Sequence, residues 1–264
     1  MLNVGRSAVI FVVLTFGSAG CGSGSDPATP PPSSSTASVP PPSSPASSAP
    51  AGIMAGCPSE GAKAFIAPVA GGTEVSGVHM GSAKRAVVLS YEWGGSPCDW
   101  SGVATELVAR GYRVALWEYG TLTGLDRVKE LQAVVDQVRA AGATEVVLAG
   151  GSVGGCVSMI GGTMIKPAVS GVAVLSCASW YDVEHRMPTT PLAAKLRVPT
   201  LYLAGDRDRL PVADVRKDFA AVPAKDKKLV VVPDSTAHGV DLLDGTEGAV
   251  AKSALFAFLD RITR

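Results

Sequence analysis

The chain has 264 residues, long enough to bury one sizeable core. Its 23 basic and 23 acidic residues cancel, so the net charge gives no sign of the electrostatic footprint of a nucleic-acid or membrane-surface binder. Five cysteines and three histidines, without a CxxC or a His/Cys cluster, provide no metal-ligand spacing.

The N-terminus reads as processing rather than fold. Arg6 precedes the apolar run Ala8 to Phe16, which is too short to span a membrane comfortably, and small residues follow up to Cys21. Ala19-Gly20-Cys21 resembles the end of a bacterial lipoprotein signal, although Ser18 stands where that family usually has Leu. The resemblance implies lipidation of Cys21; ordinary signal cleavage after an A-x-A-like site is the alternative. Gly22 to Gly52 holds nine prolines and ten serines in 31 residues, with Asp26 as its one charge. Such a segment cannot bury a core and is expected to be an extended tether. The expected organisation is a signal over residues 1–20, a tether over 21–56 and a folded domain over 57–264. Cys57, Cys98, Cys156 and Cys177 remain, and export permits disulfides among them. Cys57–Cys98 would staple the start of the domain to a loop; for Cys156 and Cys177, buried free thiols are an equal expectation.

In the folded part, Ala64 to Ala67 and Glu74 to Met80 read as a hairpin around Gly71-Gly72. Ala86 to Tyr91 and Tyr112 to Trp117 read as strands, with a helix over Trp100 to Arg110 between them. Leu125, Val128, Leu131, Val135 and Val138 recur at three and four, predicting a helix over Leu125 to Ala141 closed by Gly142. Strands follow at Glu145 to Ala149, Val172 to Ser176, Thr200 to Ala204 and Lys228 to Val232. Helices are expected up to Met164, over Val212 to Ala221 and over Gly248 to Ile262, while Ala178 to Val198 reads as irregular. Strands alternating with helices predict an α/β fold, a mostly parallel sheet covered on both faces, with ligand groups at the carboxyl ends of its strands.

The turn after the Glu145 strand is Gly150-Gly151-Ser152-Val153-Gly154, a G-x-S-x-G between strand and helix. A serine on so sharp a turn projects its hydroxyl clear of the sheet. Its neighbours must be small, since a Cβ at 150 or 154 would collide with the adjoining backbone. The helix start leaves unpaired N–H groups beside the hydroxyl, so the Val153 N–H is a candidate oxyanion donor. Two later strand ends carry Gly205-Asp206-Arg207-Asp208 and Asp234-Ser235-Thr236-Ala237-His238-Gly239. Serine, then an aspartate, then histidine, each after its own strand, supplies a nucleophile, an orienting acid and a base that titrates near neutrality. His79 and His185 fall outside this pattern and read as structural or exposed.

Here the sequence resembles the α/β-hydrolase fold family from about Ala64 to the end. Val87 to Ser96 sits where that family has an apolar strand and then H-G-x-G-G. Gly111-Tyr112-Arg113-Val114 matches its G-Y-x-V, Val198-Pro199-Thr200 leading to Gly205-x-x-Asp208 matches its acid turn, and His238-Gly239 matches its histidine turn. The resemblance implies a Ser152 nucleophile, a His238 base and, by the G-x-x-D spacing, Asp208 as the acid, with Asp206 the alternative. It also implies the Trp93 N–H as second oxyanion donor. Tyr91-Glu92 replaces the family's His-Gly, and a carboxylate beside an oxyanion is unfavourable unless it points away or is paired. Only about 20 residues separate the strands at Val172 and Thr200, so little or no lid is expected. The family's dehalogenases and epoxide hydrolases carry an aspartate at the elbow, which disfavours their chemistry here.

The function expected is an exported serine hydrolase of carboxylic esters. It would need no cofactor, bind no nucleic acid, take a small-molecule acyl substrate and touch the membrane only through a lipid anchor. The same triad would serve a thioesterase, an amidase or a peptidase. A non-catalytic surface binding protein on a hydrolase scaffold is the alternative of a different class.

Overall fold

The computed structural model describes residues 61–263 except 178, 183–185 and 211. The expected signal, Cys21, the tether, Cys57 and His185 lie outside the described residues.

Eight strands form one sheet: β1 (Lys63–Val69), β2 (Thr73–Met80), β3 (Arg85–Ser90), β4 (Arg113–Trp117), β5 (Glu145–Gly151), β6 (Gly171–Leu175), β9 (Thr200–Gly205) and β10 (Lys227–Val232). A separate two-stranded ribbon, β7 (Trp180–Tyr181) with β8 (Met187–Pro188), lies in the segment read as irregular. The order in the main sheet is β1-β2-β4-β3-β5-β6-β9-β10. Only β2 runs antiparallel, to both its neighbours; every other pairing is parallel. The helices are α1 (Ser101–Ala109), α2 (Arg127–Ala140), α3 (Val153–Met164), α4 (Thr190–Ala193), α5 (Val212–Ala221) and α6 (Gly245–Ile262). No helix among the described residues is long and apolar enough to cross a membrane.

The central strands are near-continuous apolar runs because both faces of the sheet are covered. Successive side chains point to opposite faces. Val146, Leu148, Val172, Val174 and Tyr202 therefore join one cluster, which packs on α2, α3 and α5. Val147, Ala149, Ala173, Leu175, Leu201 and Leu203 join the other, which packs on α1 and α6. The expected mostly parallel sheet with helices on both faces is the observed architecture, that of the α/β-hydrolase fold.

One local expectation needs correction and one open alternative is settled. Leu125 does not belong to α2's buried face: it sits in a 3-10 turn, Gly124–Asp126, and is 38% exposed. Its spacing to Val128 satisfies a helical period, but the tighter turn rotates it outward. Cys156 and Cys177, where free thiols and a disulfide stood equal, are joined in a disulfide across a Cα–Cα distance of 5.2 Å. Cys98 is disulfide-bonded as well.

Candidate active site

The turn between β5 and α3 carries Ser152 at φ 52° and ψ −120°, a conformation rarely held by a residue with a side chain. The surrounding backbone imposes it. The Ser152 N–H donates to Leu175 O (2.8 Å) and Ser152 O accepts from the Cys156 N–H (3.1 Å), so the strained residue is held from both sides. The two motif glycines are sterically required. A Cβ on Gly150 would stand 2.2 Å from Gly154 O, and one on Gly154 would stand 2.2 Å from Ser90 O. Helix α3 thus starts pressed against the end of β3.

That end of β3 is itself pinned. Ser90 O accepts from Trp100 Nε1 (3.1 Å), and Ser90 Oγ accepts from Trp117 Nε1 (3.2 Å). The Tyr119 hydroxyl donates to Tyr91 O (2.6 Å), while the two tyrosine rings stack at 4.3 Å. The loop bearing Glu92 and Trp93 therefore leaves a rigid anchor.

The acid and histidine turns follow β9 and β10 and are laced together. The Arg207 N–H donates to Ser235 O (3.0 Å), and the Arg207 guanidinium pairs with Asp234. His238 Nδ1 lies 2.8 Å from Asp208 Oδ1 and 3.0 Å from Oδ2. Asp206 is exposed in the same turn, and its N–H donates to Val232 O. The geometry therefore couples Asp208, not Asp206, to the histidine. Burial by itself would raise the Asp208 pKa. The bonds from His238 and the Leu210 N–H, with the Ser176 hydroxyl nearby, outweigh it and hold the carboxyl below its usual range.

His238 is 9% exposed, and its Nε2 is buried without a hydrogen-bond partner among the described residues. It lines one cavity with Ser152, Val153 and Trp93, of about 270 Å³. Ser152 and His238 thus face the same space without a hydrogen bond between them, a separation common in ligand-free hydrolytic sites. Trp93, 71% exposed, stands at the mouth. Trp180 and Tyr181 of the short ribbon supply further wall, in place of a lid domain.

Glu92 does not point at the serine. Its Oε1 accepts from the Val240 N–H (2.7 Å), and its carboxylate lies where a Gly239 Cβ would be, 2.2 Å from Oε1. Burial raises its pKa, opposed by the Val240 N–H and by His238. The carboxylate at the family's glycine position is thus paired with the histidine turn. Sequence reading singled out this residue without placing it; no local pattern reports a contact with a turn so far along the chain. One participant was not foreseen at all, Ser176, at φ 51° beside Asp208, and the Cys156–Cys177 disulfide, open in the sequence, lies in the cavity wall. His79 sits in β2, stacked on Phe65 with ring centroids 6.2 Å apart. Among the described residues no group of three or more His, Cys, Asp or Glu side chains is placed to hold a metal ion.

No protein-family model and no curated protein matches the sequence. Solved structures do match the fold. The Pyrococcus furiosus esterase Pf2001 superposes with a TM-score of 0.68 at 15% identity, over 77% of this chain and 92% of that one. Dienelactone hydrolase from Anabaena variabilis gives 0.64 at 16% identity, over 77% and 98%. A thermophilic esterase from Thermogutta terrifontis gives 0.63 at 14%, over 76% and 100%. At such identities the likeness establishes the α/β-hydrolase fold, and the chemistry has to come from the residues of this site.

Proposed function

We propose that this protein is a serine hydrolase of carboxylic esters, exported and held at the outer face of the cell membrane by a lipid on Cys21. The observation that carries the catalytic reading is the strained Ser152, which opens onto the same cavity as a histidine held by a buried aspartate. The esterase and dienelactone hydrolase neighbours support it. A hydroxyl is a weak nucleophile until a base removes its proton. On substrate binding, His238 Nε2 takes the proton as Ser152 Oγ attacks the ester carbonyl carbon. The negative charge on the carbonyl oxygen is met by the N–H groups of Val153 and Trp93, donors set in place before the reaction. Collapse breaks the ester C–O bond, and His238 returns the proton to the departing alcohol. Water, deprotonated by His238, then cleaves the acyl-enzyme to release the acid and free Ser152. Asp208 accepts from His238 Nδ1, which fixes the tautomer and stabilises the imidazolium. No step requires a cofactor.

The test is labelling of the purified protein by a fluorescent fluorophosphonate beside Ser152→Ala, followed by matched ester, thioester and amide substrates. Labelling of the native chain alone, with the ester cleaved fastest, is expected. A folded native protein that fails to label overturns the reading.

A further inference from the structure

The space around His238 has two chemically unlike halves. One is the cavity of about 270 Å³ that contains Ser152 and Val153. Its wall is mostly apolar and aromatic, with Trp180, Tyr181, Leu210 and the Cys156–Cys177 disulfide beside Ser176 and Asp182. The other is a more open groove of about 670 Å³, which shares with the first only Trp93, Arg209 and His238. The groove adds the carboxylates of Glu92, Asp99 and Asp241 together with Thr236, and glycines 94 and 95 line it too.

The reaction assigns the halves. The acyl carbon must sit at Ser152 with its oxygen toward Val153, so the acid portion occupies the apolar cavity. The leaving oxygen takes its proton from His238. The alcohol portion therefore passes His238 and enters the space that contains neither Ser152 nor Val153. His238 is the boundary, and its buried Nε2 has no other partner among the described residues.

Resting on the serine-hydrolase function above, we propose that the substrates are esters joining an apolar or aromatic acid to a hydroxyl-rich alcohol, such as a polyol or sugar. The groove offers what such an alcohol needs. Arg209 only donates hydrogen bonds, Asp241 only accepts and Thr236 does both, which suits hydroxyls that themselves do both, while the Asp99 carboxylate is already shared with the Ser96 N–H and hydroxyl. Trp93 presents an aromatic face in solvent, the surface on which the C–H side of a sugar packs. A cationic alcohol would also be drawn by the carboxylates of Glu92, Asp99 and Asp241 and by the indole, with Arg209 alone opposing it, so the choline ester is the discriminating substrate.

The test uses the purified full chain and four esters of 3-phenylpropanoic acid, with methanol, glycerol, glucose and choline. The expected kcat/KM for the glycerol or glucose ester exceeds that for the methyl ester at least tenfold, and the choline ester gains nothing. The ratio of glucose to methyl ester should fall at least fivefold in Asp241→Ala and in Arg209→Ala. Acetyl in place of the phenylpropanoyl group should lower kcat/KM at least tenfold. A ratio near one, a choline ester preferred over glucose, or a ratio unmoved by both substitutions overturns the proposal. If such a protein still labels with fluorophosphonate and cleaves the methyl ester, only the substrate class has failed. If the folded protein neither labels nor cleaves any ester, the hydrolase function beneath it has failed.

Discussion

Removal of the Glu92 carboxylate should slow acylation by releasing the histidine turn. Glu92 Oε1 is the acceptor for the Val240 N–H at 2.7 Å, and Val240 is 3% exposed. Glu92→Ala leaves that buried donor without its acceptor, at a cost of about 1–3 kcal/mol. If the turn moves to recover the bond, His238 two residues away moves with it, and the population of reactive geometry falls by about 5- to 150-fold. Glu92→Gln keeps an acceptor oxygen and removes the buried charge. Because burial holds the folded-state pKa of Glu92 above its unfolded value, the folded state binds the proton more tightly. Stability from this group is therefore present at low pH and falls as pH rises through the folded pKa. Glutamine has no such loss, so at pH 7.5 Glu92→Gln should be at least as stable as the native protein. The assay is the second-order rate of fluorophosphonate labelling at pH 7.5, beside thermal denaturation, for native, Ala and Gln forms. Native-like labelling by Glu92→Ala would refute the positioning role. If Glu92→Gln falls as far as Ala, the charge near His238 matters rather than the hydrogen bond, and the reasoning fails in a different way.

Asp208→Asn should lower kcat on the order of 10³- to 10⁴-fold, because an amide no longer holds the imidazole in its productive tautomer. The Asp208 pKa is depressed, so its contribution to stability is present above the unfolded carboxylate value and is lost as pH falls through the folded one. The stability gap between native protein and Asp208→Asn, followed by thermal denaturation, should accordingly narrow below about pH 4. Ser152→Gly removes a side chain held at φ 52° and should raise stability by about 1–3 kcal/mol while abolishing labelling. Ser152→Ala keeps the strain, so equal melting temperatures for the two variants would contradict it. Replacing Cys156 and Cys177 together by serine opens a loop of sequence separation 21 and should cost about 3 kcal/mol in denaturant unfolding. The same change unties the first turn of α3 from the β6 end, and slower labelling at full folding is expected.

What could be read without coordinates was whatever depends on neighbours in sequence. Short apolar runs bounded by turn residues placed the main-sheet strands, and the 3.6-residue period placed the helix after Leu125. The small residues around Ser152 follow from a turn too sharp for a Cβ, and the 2.2 Å approaches at Gly150 and Gly154 are that requirement in space. Leu125 shows the limit, since three residues of spacing fit both a helix and the 3-10 turn before it. The ribbon Trp180–Tyr181 with Met187–Pro188 escaped notice because two-residue strands leave no period to see.

The candidate site divides the same way. Sequence alone determined the chain order of serine, aspartate and histidine, and that each follows its own strand, because strand ends and tight turns are local events. Only the tertiary structure decided that Asp208 rather than Asp206 meets His238, that Cys156 closes on Cys177, and that Glu92 turns from the oxyanion loop to the Val240 N–H. Glu92 and Val240 lie 148 residues apart, brought together by a parallel sheet whose neighbouring strands end on one side. Such a contact is set by how the layers pack, and no periodicity along the chain encodes it.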